Sequence, residues 1–191
     1  MKRKLLASFA LAAALLGAGC DGQYSQNQKP AEPTGINIKT EYRVPGWNVS
    51  LKEYTSEAAP GQLFTVVAGG TGVATTSAPI GPASSSTDPI HLKSEYRVPG
   101  WNVTVKEYTS DNAPGQLFTM VAGGTGVDIV ATPIEGTPAA SANPIHLTRE
   151  FRLKGWNASV KEYTSDNAPG QLFTITAGGT GVSIKSTPLP R

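Results

Sequence analysis

The chain has one cysteine and two histidines among its 191 residues. A single cysteine excludes an intramolecular disulfide. His91 and His146 have no Cys or second His at ligand spacing. That argues against a metal centre and against a His-based catalytic triad. A Gly-x-Ser-x-Gly nucleophile elbow is missing too. Sustained helical periodicity is absent after the first twenty residues. The single apolar run, Leu5 to Leu16, is too short to cross a hydrocarbon core of roughly 30 Å as a helix. These gaps point away from an enzyme and from any cofactor.

The N-terminus is informative. Met1-Lys2-Arg3-Lys4 is cationic, Leu5 to Leu16 is apolar, and Gly17-Ala18-Gly19 are small. That order is the signature of a secretory signal over residues 1–19. Cys20 follows directly. Leu15-Leu16-Gly17-Ala18-Gly19-Cys20 resembles the lipobox of bacterial lipoproteins, with Gly17 where the family prefers Leu. The resemblance implies that Cys20 carries acyl chains such as palmitate and becomes the mature N-terminus. It implies a membrane-anchored protein of the bacterial cell envelope, periplasmic or surface-exposed. Residues 20–35 then read as the lipidated Cys and a disordered polar tether. Removing Lys2, Arg3 and Lys4 takes the 16 basic residues to 13, against 14 acidic. The mature protein has no cationic footprint for nucleic acid.

Internal repeats dominate the remainder. Gly-Trp-Asn recurs at Gly46-Trp47-Asn48, Gly100-Trp101-Asn102 and Gly155-Trp156-Asn157. The tryptophans lie 54 and then 55 residues apart, and Val105 to Thr119 is identical to Val160 to Thr174. Three modules follow, at residues 36–78, 90–132 and 145–187. Residues 79–89 and 133–144, rich in Pro, Ala, Ser and Gly, read as linkers, and 188–191 as a tail.

Each module accommodates four strands. Ile90 to Val98 alternates apolar and polar residues for most of its length, which predicts a half-buried strand. Val98-Pro99-Gly100-Trp101 fits a turn, with Pro presetting φ and Gly accepting positive φ. Trp101, Val103 and Val105 alternate along a second strand, and Lys106-Glu107-Tyr108 breaks the phase as at a bulge or strand end. Gln116 to Ala122 and Val127 to Ala131 supply the third and fourth, joined at Gly123-Gly124-Thr125-Gly126. The fold class is therefore all-β, with three tandem four-stranded antiparallel modules. A 43-residue sheet without a disulfide or metal is too small to stand alone comfortably. Burying three apolar faces together predicts a pseudo-threefold assembly, β-prism or β-trefoil-like in outline. A linear array and separate beads are the alternatives.

The motifs mostly have plain explanations. Ala122 to Val127 is glycine-rich but lacks the Lys-Ser/Thr of a phosphate loop and leads into a strand. The pairs Glu41/Glu53, Glu95/Glu107 and Glu150/Glu162 suit a solvated strand face with cross-strand ion pairs better than glycosidase chemistry. The Trp residues, in phase with aliphatic residues, are expected in the core. The contact surface then falls to Asn48, Lys52, Tyr54 and Gln62, with their copies Asn102, Lys106, Tyr108 and Gln116, and Asn157, Lys161, Tyr163 and Gln171. The functional expectation is a non-enzymatic envelope lipoprotein that binds a glycan or an envelope protein multivalently. A structural spacer or surface coat is the alternative.

Overall fold

The computed structural model describes residues 35–82, 85–135, 141–155, 157–179 and 181–190. The signal, Cys20, the tether before residue 35, and Trp156 lie outside the described residues. Within them the chain is all-β, with twelve strands of eight residues each. Module 1 holds β1 (Ile36–Arg43), β2 (Val49–Ser56), β3 (Gln62–Gly69) and β4 (Gly72–Pro79). Module 2 holds β5 (Ile90–Arg97), β6 (Val103–Ser110), β7 (Gln116–Gly123) and β8 (Gly126–Pro133). Module 3 holds β9 (Ile145–Arg152), β10 (Ala158–Ser165), β11 (Gln171–Gly178) and β12 (Gly181–Pro188). Each module is an antiparallel meander in sequence order.

Glycine sets the turns. Val44-Pro45-Gly46-Trp47 closes with Trp47 N donating to Val44 O at 3.2 Å, and Gly46 has φ +74°. Pro at the second and positive-φ Gly at the third position is the chemistry of a type II turn. The β3–β4 hairpin turns on Gly70 (φ +58°) and Thr71, between the paired Gly69 and Gly72. Positive φ at the first central residue alone fits a type II′ turn, whose twist matches the strands.

Each sheet has two distinct faces, because register partners share a face. One, here the carboxylate face, carries Val49, Leu51, Glu53, Leu63, Thr65 and Val67 in module 1. The other, the lysine face, carries Lys52, Tyr54, Phe64 and Val66. The sheets stack in series. The carboxylate face of module 1 packs on the lysine face of module 2, in a core with Leu51, Leu63, Val67, Tyr108, Phe118 and Met120. The carboxylate face of module 2 packs in the same way on module 3, through Val105, Leu117, Val121, Tyr163, Phe173 and Ile175. Backbones come closest along β4, β8 and β12; beside them Thr71 N of the β3–β4 turn donates to Thr125 O, and past β4 Gly81 N donates to Asn112 O in the β6–β7 loop.

This arrangement corrects the pseudo-threefold expectation. The contacts between modules join 1 to 2 and 2 to 3, a linear array whose two end faces no other described residues cover. Cover for each sheet comes from the unlike face of its neighbour, so the series need not close. Module 2 is covered on both sides. The apparent phase break at Lys106-Glu107-Tyr108 is therefore no break. Glu107 continues the face of Val103 and Val105, Tyr108 continues the face of Lys106, and all three are buried. The irregularity sits in the partner strand, between Leu92 and Ser94, and recurs in the other two modules.

Candidate functional site

The interfaces absorb many of the polar residues that the repeats share. Lys106 Nζ donates to the carbonyl of Pro45 at 2.8 Å, pairs with Glu95 at 2.9 Å and sits 5.0 Å above the Trp47 ring. Lys161 repeats this with Pro99 at 2.6 Å, Glu150 at 3.0 Å and the Trp101 ring at 4.9 Å. Their side chains are only 3% exposed, so charge pairing and a cation–π contact offset the cost of burial. Lys52, the copy on the free end, is 52% exposed and among the described residues pairs with Glu41 at 2.8 Å.

Each buried carboxylate accepts hydrogen bonds from a Ser and an Asn of the next module, and Glu107 also from its own. Glu53 accepts from Ser110 Oγ at 3.0 Å and Asn112 Nδ2 at 2.8 Å. Glu107 accepts from Ser94 Oγ at 2.7 Å, Ser165 Oγ at 2.9 Å and Asn167 Nδ2 at 2.7 Å. Glu41, Glu95 and Glu150 are exposed and form the expected cross-strand ion pairs, while Glu53 and Glu107 are fully buried. Burial, and then the charge of Glu53, holds the Tyr108 phenol well above its usual range. Tyr163 is shifted the same way by burial and Glu107. The histidines pair locally, His91 with Asp111 and His146 with Asp166, each at 3.0 Å. Among the described residues no group of three His, Cys, Asp or Glu is placed to hold a metal ion.

The twelve expected contact residues divide accordingly. Lys106, Tyr108, Lys161, Tyr163 and Gln171 are buried, all on the lysine faces of modules 2 and 3. They are corrected from contact surface to interior, because the sheet face that looked solvated is covered by a neighbouring sheet. Tyr54, Gln62 and Gln116 are half-buried, and Lys52 lies exposed on the outer face of module 1. Asn48, Asn102 and Asn157 are exposed, and the structure brings them to one edge of the stack.

Two equivalent grooves open along that edge. The first, of about 300 Å³, is lined by Trp47, Asn48, Gly69 and Gly70 of module 1 and Asn102, Thr104, Gly123 and Gly124 of module 2. The second, of about 340 Å³, repeats it one module on, with Trp101, Asn102, Gly123 and Gly124 against Asn157, Ser159, Gly178 and Gly179. Trp47 and Trp101 are half-buried, not enclosed as the alternation suggested. They lie in the turns just ahead of β2 and β6. Asn48 Oδ1 accepts from Arg43 at 3.2 Å and Asn157 Oδ1 from Arg152 at 3.1 Å. Those bonds orient the carboxamides and leave each NH₂ as a donor. The glycine hairpins, read from sequence only as turns, are also walls that present bare backbone. Asn102 lines both grooves. That double role depends on how modules are offset, which local sequence does not encode.

No family model matches the chain, and neither does any curated protein or solved structure. No helix among the described residues is long and apolar enough to cross a membrane.

Proposed function

We propose that this protein is a non-enzymatic, lipid-anchored envelope protein that binds a glycan along its row of inter-module grooves. The observation that carries the reading is the repeated groove itself: a half-exposed indole, an asparagine carboxamide and a glycine hairpin, recurring one module apart. An indole offers an apolar surface to the C–H face of a sugar, and exposed carboxamides suit its hydroxyls. Open, shallow grooves in series fit a chain-like ligand, and linked weak sites gain avidity. Export and anchoring through Cys20 rest on the N-terminal residues.

Asn102 gives the sharpest test, since one side chain serves both grooves. Asn102→Ala is expected to abolish retention on the preferred oligosaccharide of a glycan array while leaving the melting temperature unchanged. Undiminished retention, or no glycan bound by the wild type at all, rejects the proposal. The second outcome favours the structural spacer. That reading draws on Lys106 and Lys161, which already occupy a face of each described indole.

A further inference from the structure

Serial stacking of unlike faces has no natural end. The free lysine face of module 1 matches the lysine faces buried in the stack, and the free carboxylate face of module 3 matches the carboxylate faces. Copies of the chain would be expected to add head to tail into filaments. The residues at the two free ends differ from their internal copies in ways that oppose this.

On module 3, Arg149 stands where modules 1 and 2 have Thr40 and Ser94. Thr40 and Ser94 serve the buried interfaces: Thr40 accepts from Asn112 of the next module, and Ser94 donates to Glu107. Arg149 instead pairs with Glu162 at 3.2 Å, neutralising the carboxylate that no further module covers. Lys154 replaces Pro45 and Pro99, whose carbonyls receive the next module's lysine. A further module would set its own ammonium beside this one. Thr176 replaces the fully buried Val67 and Val121, and Lys185 replaces Thr76 and Val130. On module 1, Ala58 replaces Asn112 and Asn167, the amides that reach the preceding module's carboxylate. Thr75 replaces the buried Ile129 and Ile184.

We infer that modules 1 and 3 are end-specific caps that stop copies of this chain from stacking head to tail, and that module 2 with its linker, residues 90–144, is the extendable unit. Repeat arrays need ends whose outer faces are polar and mismatched. Each further copy of module 2 would lengthen the stack and add one groove.

The test uses the full chain carrying Cys20→Ser, so that acylation does not obscure sedimentation. Unaltered at its ends, this protein should remain monomeric at all concentrations. The variant Ala58→Asn, Thr75→Ile, Arg149→Ser, Lys154→Pro, Thr176→Val, Lys185→Val should associate beyond dimers as concentration rises. Two insertions provide a second measurement should that variant fail to fold. Duplicating residues 90–144 should give a monomer that melts no lower than the parent. Placing a copy of 145–187 with linker 133–144 in the middle position sets Lys154 against the next module's lysine ammonium and buries the Arg149–Glu162 pair between two sheets. It should melt about 10 °C lower than the other insertion. Self-association of the parent, a folded decapped variant that stays monomeric, or equal melting of the two insertions would overturn the inference.

Discussion

Val105 to Thr119 and Val160 to Thr174 are the same sequence in two places. In module 2, Glu107, Leu117 and Thr119 are fully buried. In module 3 the same residues, Glu162, Leu172 and Thr174, are half-buried, with Glu162 17% exposed and paired to Arg149. Backbone and register are alike, so the environment comes from position in the stack. Module 2 sits between two sheets, while module 3 has one face to solvent. A residue such as Leu117 is therefore a core residue by virtue of its neighbour and not of its own sheet.

The comparison predicts unequal costs for identical substitutions. Leu117→Ala should lower stability by about 3 kcal/mol, since it leaves a cavity between two sheets. Leu172→Ala should cost about 1 kcal/mol, because the site can open to water. Chemical denaturation of the two variants measures both, and equal losses would break the comparison.

The lysines sharpen it further. Lys106→Ala removes a buried ammonium from Pro45, Glu95 and Trp47 and should cost about 2–3 kcal/mol. Lys52→Ala removes an exposed pair worth well under about 1 kcal/mol. Thermal melts of the two variants should separate clearly.

Smaller effects are expected from the phenols. Tyr108 Oη and Tyr163 Oη find no hydrogen-bond partner among the described residues. Tyr108→Phe should therefore stay within about 1 kcal/mol of the parent, of either sign. Their raised pKa values carry a pH consequence. The folded state holds the proton more tightly than the unfolded state, whose phenols ionise near pH 10. This stability is fully present below that pH and is lost as pH rises from there through the folded pKa. Alkaline titration followed by phenolate absorbance should show Tyr108 and Tyr163 ionising together with unfolding. Reversible early ionisation of all tyrosines in the folded protein would contradict their burial.

Much of the fold was legible. Repeats, alternation and the Pro-Gly-Trp and Gly-Gly turns lead to four strands per module, because these are local signals. Serial stacking was not legible, for a physical reason. Tyr108, Phe118, Met120 and Ile129 form a second apolar face, yet Lys106 and Glu95 on that face look solvated until a neighbour's Pro45 and Trp47 are placed above them. One apolar face per module suggests closure around an axis; two complementary faces allow a line. The candidate site divides likewise. Trp47, Trp101 and the asparagines were visible as a pair motif, whereas Gly69, Gly70 and the shared role of Asn102 appear only once adjacent modules are set side by side.

The most direct test of the serial stack is native-state labelling of lysines with an amine-reactive reagent, read by mass spectrometry at Lys52, Lys106 and Lys161. These are equivalent positions in three modules, so only architecture distinguishes them. The stack predicts rapid modification of Lys52 and protection of Lys106 and Lys161 until the protein unfolds, in line with their 52%, 3% and 3% exposure. Protection of all three would mean a closed ring of modules, and equal reactivity of all three would mean independent beads; either result contradicts the stack.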